Sequence, residues 1–233
     1  MALYAIADLH LSFGTKKPMD IFEGWKDYVG KLSQNWTDRI SDGDTVVIPG
    51  DISWAMNISE AEADFRFIHN LPGKKIILKG NHDYWFTTKS QFDLFRQKHG
   101  FDSMQILHNN AYFYEDYAIC GTRGWINCDI QKADVNHDSK ILAREASRLE
   151  LSIKDGIKKG ANPIVFLHYP PIFANNIICK PVIDVLHKYG VESVFYGHLH
   201  GKVCRQAYQG DYEGINFKLI SGDYLEFCPM QIM

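Results

Sequence analysis

Seven residues of this sequence carry metal-ligand side chains and fall in five short clusters. They are Asp8 and His10; Asp51; Asn81, with His82 beside it; His168; and His198 with His200. Carboxylate oxygen, amide oxygen and imidazole nitrogen together suit a borderline divalent ion such as manganese, iron, zinc or nickel, rather than calcium. No cysteine sits in a cluster, which argues against a structural zinc site. Seven ligands are too many for one ion. They suit two ions about 3.5 to 4 Å apart if one carboxylate bridges them, a spacing used for phosphoryl chemistry. The stretch Lys79-Gly80-Asn81-His82-Asp83-Tyr84, taken alone, reads equally well as a polar turn between a strand and a helix. A lone histidine at a strand end is ordinarily a satisfied hydrogen-bonding residue. Five clusters of one kind decide against that reading.

Each cluster follows an apolar run with the signature of a buried strand. The runs are Leu3 to Ala7, Thr45 to Pro49, Lys75 to Leu78, Pro163 to Leu167 and Ser193 to Tyr196. Between the first three lie helical patterns. One spans Phe22 to Ile40, where Phe22, Trp25, Val29, Leu32 and Trp36 recur at steps of three and four and read as core. The other spans about Ser59 to Asn70, with Ser59 as N-cap. Alternation of strand and helix predicts right-handed βαβ units and a mainly parallel sheet, whose ligands bind beyond the carboxyl ends of the strands. All the clusters sit at those ends.

A further helix is expected over Lys89 to His99, stopped by Gly100. From Ser103 to Gly121 three short apolar runs, Gln105–Leu107, Tyr112–Tyr114 and Tyr117–Cys120, predict antiparallel hairpins and a second sheet. Residues Ile126 to Asp138 read as a long loop. A long helix through about Lys159 follows, capped by Asp138, with Leu142, Ala146, Leu149, Ile153 and Ile157 on its apolar face and solvated charges on the other. A short helix is expected over Val182 to Lys188. The tail offers strands over Val203 to Tyr208, Phe217 to Ile220 and Leu225 to Cys228. The Gly14-Thr15-Lys16-Lys17 loop lacks the spacing of a phosphate-binding loop.

The 233 residues are enough for a substantial core, and no linker or repeat divides them, so one domain over 1–233 is expected. A net charge of -3 gives no footprint for duplex nucleic acid or an anionic membrane. The five cysteines form no Cys-x-x-Cys pair and read as reduced thiols. With no signal-peptide pattern or membrane span, a cytoplasmic protein is expected.

In order, Asp8-x-His10, Gly50-Asp51, Gly80-Asn81-His82-Asp83, His168 and Gly197-His198-x-His200 resemble the motifs of the calcineurin-like metallophosphoesterase superfamily. The resemblance implies a four-layer αββα sandwich, with two mixed central sheets flanked by helices. It implies that Asp8, His10, Asp51 and His200 hold one metal and that Asp51, Asn81, His168 and His198 hold the other. Manganese is the first choice of ion, with iron, zinc or nickel as alternatives. A hydroxide bridging the ions would attack a phosphate monoester or diester in a phosphorylated small-molecule or nucleotide-like substrate. His82 would act as leaving-group acid. Asp83 would fix the tautomer of His82 or cap the next helix.

Protein serine/threonine phosphatases of this superfamily follow Gly-Asp with x-x-Asp-Arg-Gly. Here the chain reads Gly50-Asp51-Ile52-Ser53-Trp54-Ala55, so their phosphate-binding arginine is missing. Arg123 is the candidate to replace it, and an ion pair at the surface is its other reading. Two rivals stay open: a nuclease, and an inactive scaffold of the same fold that binds partner proteins. The scaffold is disfavoured because no ligand is lost.

Overall fold

In the computed structural model, which describes residues 1–125, 135–173 and 177–233, the apolar runs assemble into two sheets with helices outside both. The first half comprises β1 (Leu3–Ala5), α1 (Tyr28–Arg39), β2 (Thr45–Pro49), α2 (Glu62–Asn70), β3 (Lys74–Leu78), α3 (Lys89–His99) and β4 (Met104–Ile106). Then come β5 (Tyr112–Tyr114), β6 (Tyr117–Thr122), α4 (Val135–Ile157), β7 (Asn162–Leu167) and a small ribbon of β8 (Ile172–Phe173) with β9 (Ile177–Ile178). The chain closes with α5 (Lys180–Lys188), β10 (Ser193–Tyr196), β11 (Gly210–Tyr212), β12 (Ile215–Leu219) and β13 (Met230–Gln231).

The first sheet has the order β13-β1-β2-β3-β4 and the second β11-β12-β10-β7-β6-β5. In each, four neighbouring strands are parallel; β13 adds an antiparallel edge to the first sheet, and β11 and β5 add antiparallel edges to both sides of the second. The side chains sort into three apolar layers, as the period-two alternation of a strand requires. Leu3, Ala5, Val47, Ile76, Ile119 and Phe166 fill the space between the sheets. Tyr4, Val46 and Ile48 face Leu32, Trp36, Phe65 and Phe92 of the first helical layer. Val165, Val194 and Phe217 face Leu149, Ile153 and Leu186 of the second. The result is the expected four-layer αββα sandwich.

Several expected elements differ. The first helix starts at Tyr28, since Asp27 is left-handed at φ 52° and breaks any earlier turn. Trp25 is buried but lies before the helix, and Phe22 is exposed. Helix α2 starts at Glu62 because the Asn57 carboxamide, rather than Ser59, takes the N–H groups of Ser59 and Glu60. Strand β4 pairs in parallel with β3 and belongs to the first sheet, so of the three short runs β5 and β6 alone form a hairpin. Gly201–Gln206 is a 3-10 helix where a strand was expected, and residues 222–227 form turns. The expected loop over 126–138 lies mostly outside the described residues, and Val135 already opens α4. Asp138, in the first turn of α4, accepts a hydrogen bond from Trp125 Nε1 at 3.1 Å. Among the described residues no helix is long and apolar enough to cross a membrane.

Candidate metal centre

Parallel strands deliver their carboxyl ends to one edge, and the chain exits there through tight, strained turns. Asp8, His10, Asp51 and His198 all adopt left-handed backbone, at φ 60°, 44°, 51° and 73°. Such a conformation costs a non-glycine residue roughly 1 to 2 kcal/mol and persists where the surroundings over-determine it. Those surroundings are hydrogen bonds between exits. Asp8 N–H donates to Gly50 O at 3.0 Å and His10 N–H to Asp51 O at 2.9 Å. His82 N–H donates to Asp51 Oδ1 at 2.8 Å, and His198 N–H to Asp8 Oδ2 at 2.9 Å. The glycines beside the ligands permit this closeness. A Cβ on Gly80 would stand 2.1 Å from Asp51 Oδ1, and one on Gly197 2.3 Å from Asp8 Oδ2.

Two groups result, each with its ligand atoms within 4.8 Å of one another: Asp8, His10 and His200; and Asp51, His168 and His198. Asp51 Oδ2 lies between the groups, 3.7 Å from His10 Nε2 and 3.5 Å from His168 Nε2. Asn81 joins the second group, its Oδ1 2.6 Å from His168 Nε2.

The donor chemistry tests whether cations fit. His168 Nδ1 faces the carbonyl of Pro49 at 3.2 Å, an acceptor only, so Nδ1 carries the proton. Burial holds His168 well below the ordinary imidazole value, so the ring is neutral. Its Nε2 lone pair therefore faces the space beside Asn81 Oδ1 and Asp51 Oδ2, at 2.6 and 3.5 Å. His10 and His200 bring their Nε2 atoms to 3.3 Å of each other. Asp8 Oδ1 is buried without a hydrogen bond, 3.6 Å from both His168 Nδ1 and His200 Nε2. Burial costs unsatisfied polar atoms free energy, and bound cations would satisfy these converging oxygen and nitrogen atoms. The residues fit two metal ions.

Electrostatics agrees. Burial, then the charges of Asp83 and Asp8, raises the Asp51 carboxyl well above the usual range. Burial lowers His10 to about 3 and His198 to about 4. Burial also opposes charge on His200, but the Asp8 and Asp223 carboxylates outweigh it and lift the ring to about 10. Asp223 was not singled out from the sequence. Its Oδ1 sits 2.9 Å from His200 Nδ1 and its Oδ2 accepts Gly201 N–H at 2.7 Å, which turns Nε2 of His200 inward. The signal was present, since Ile220-Ser221-Gly222-Asp223 repeats the strand-glycine-aspartate pattern of Gly50-Asp51.

His82 is half-buried at the rim, its ring 4.4 Å from that of Trp54 and 5.7 Å from that of His10. A cleft of about 360 Å³ opens there, with His10, His82 and His200 on one side and Phe22, Trp25 and Trp54 on the other. The aromatic residues expected to be plain core thus partly wall this cleft. Asp83 meets neither of its expected roles. Thr88 caps α3, and the Asp83 oxygens accept from Ile52 N, Ser53 N, Trp85 Nε1 and Gly80 N. It ties the exits of β2 and β3 together. Arg123 lies beside Glu145 rather than among the ligands, its Nη2 3.8 Å from Glu145 Oε1. Its backbone carbonyl accepts the N–H groups of His168 and Tyr169.

A family model described as calcineurin-like phosphoesterase matches residues 1–202. No curated protein matches the sequence. A protein of unknown function from Aquifex aeolicus shares 17% identity at a TM-score of 0.51, covering 99% of this chain and 95% of its own. The phosphopantetheinyl hydrolase from Mycobacterium tuberculosis shares 14% at 0.53, covering 100% and 95%. A structure from Thermus thermophilus shares 14% at 0.51, covering 86% and 82%. At these identities the likeness is one of fold.

Proposed function

The chain belongs to the calcineurin-like phosphoesterase family, whose members hydrolyse phosphoesters with metal ions, and we propose that it does so with a pair of them. One observation carries the reading: Asp51 Oδ2 stands between two groups of carboxylate and imidazole side chains whose ligand atoms converge within 4.8 Å. Asp8, His10 and His200 with Asp51 would hold one ion; Asn81, His168 and His198 with Asp51 would hold the other. Manganese is the proposed metal. When bound, such ions supply a water of lowered pKa as nucleophile and positive charge for the phosphoryl oxygens.

The chain's own residues do the rest. Asp223 and the Pro49 carbonyl fix the rings of His200 and His168. Asp51 fixes the backbone of His82, whose side chain faces the cleft. There it serves as the leaving-group acid. Arg123 contributes to phosphate binding. The substrate is a phosphorylated small molecule, and the neighbouring hydrolase of phosphopantetheinyl groups is consistent with that class. Cys120, Cys179, Cys204 and Cys228 are free thiols, which supports a cytoplasmic protein.

The test is hydrolysis by protein stripped of metal and reloaded with manganese, comparing an aryl phosphate monoester with the matching diester. Turnover of either supports the reading. Inertness toward both, or anomalous scattering that finds no ion after a manganese soak, defeats it.

A further inference from the structure

A second polar pocket opens beside the metal centre, and its electrical character is the reverse. Its volume is about 70 Å³, and Lys79, His108, Thr122, Arg123, Glu145 and Arg148 line it. Since water takes roughly 30 Å³ in the liquid, this is room for one small oxyanion and not for a whole ligand. Three cationic side chains face a single carboxylate there. Glu145 is almost fully buried, and both of its oxygens are already engaged. Thr122 Oγ1 donates to Oε2 at 2.6 Å and Arg148 Nη1 to Oε1 at 2.6 Å. Arg123, at 3.8 Å from Oε1, is beyond hydrogen-bond reach, and among the described residues its buried Nε has no acceptor. Among the described residues, Lys79 is paired with no carboxylate; its Nζ lies 5.6 Å from the centre of the Phe86 ring.

These cations hang on the backbone of the metal centre. Lys79 directly precedes Gly80-Asn81, and the Arg123 carbonyl holds the N–H of His168. Guanidinium groups present planar forks that match phosphoryl oxygens, and an ammonium adds a point charge. The excess of two positive charges equals the charge of a phosphate monoester dianion.

We propose that this pocket binds a second phosphoryl group of the substrate, one that is not cleaved. The substrate class is then a molecule with two phosphoryl groups, and the assignment rests on the phosphoesterase reading above.

Titration calorimetry of inorganic phosphate into chelator-stripped protein isolates the pocket, because the acidic cage without cations has no attraction for an anion. One phosphate per chain is expected. Lys79→Gln and Arg123→Gln should each weaken it about tenfold, and Lys79→Arg should restore it. No binding to the wild type, or binding undiminished in both glutamine variants, overturns the site. In manganese-loaded enzyme, kcat/KM for propanediol bisphosphate over propanediol monophosphate should be high in the wild type and fall about tenfold in Lys79→Gln. An unchanged ratio overturns its use by substrate. Phosphate binding without hydrolysis of any ester brings down the assignment through the phosphoesterase reading. Hydrolysis without phosphate binding brings down the pocket alone.

Discussion

The metal cage and the Glu145 pocket adjoin on one edge of the sandwich and differ in the sign of what they lack. In the cage, lone pairs crowd together and Asp8 Oδ1 has no donor. In the pocket, hydrogen-bond donors outnumber acceptors and Arg123 Nε has no acceptor. Asp83 shows what a finished buried carboxylate looks like nearby, with four donors around its two oxygens. The difference teaches how to tell a structural charge from one kept for a guest: the structural one is saturated by the chain itself.

The contrast can be broken at several points. Asp51→Asn should lose both ions together by elemental analysis and cost on the order of a thousandfold in kcat/KM. Loss of one ion alone would show that Asp51 is not shared. His82→Ala should keep its metal and lose about 10²- to 10⁴-fold turnover of alkyl esters, but much less of p-nitrophenyl esters. Equal losses on both would remove its role as acid. Glu145→Gln should leave the metal content intact while destabilising the fold by about 1 kcal/mol in denaturant unfolding, because partly exposed Arg148 loses its ion-pair partner. A neutral result there would mean that the pocket tolerates still more positive charge.

Lys75, at the opposite end of β3, gives the smallest effect and serves as a control. Among the described residues its ammonium meets the carbonyls of Leu71 and His69, and burial pushes it down to about 8. Below that pH the folded and unfolded states both carry the proton, and the folded state bears the penalty. Between about 8 and 10.5 the unfolded chain binds more protons, so stability should rise with pH. The slope is at most about 1.4 kcal/mol per pH unit. Lys75→Met should flatten it without altering metal or phosphate binding.

The cage was legible from sequence because every ligand follows its own apolar strand, a pattern local in the chain. The pocket was not. Glu145 sits on the face of α4 expected to be solvated, and only the distant Thr122 reveals its burial. Strand β4 was assigned to the wrong sheet because its partner β3 lies across a helix, and parallel pairing leaves no turn signal. The helix predicted from Phe22 failed at Asp27, whose left-handed turn does not disturb the three-four spacing of Trp25 and Val29. Alternation at Val203–Tyr208 imitated a strand, but Cys204 Sγ turns back to the Leu199 carbonyl within a tight helical turn.

The left-handed backbone at Asp8, His10, Asp51 and His198 has a practical consequence for anyone improving this protein. Glycine adopts that conformation freely, so thermal selection with no requirement for turnover would reward its arrival at these four positions. Heat tolerance and competence pull in opposite directions along this edge. A library screened for hardiness first would harvest robust, inert sandwiches.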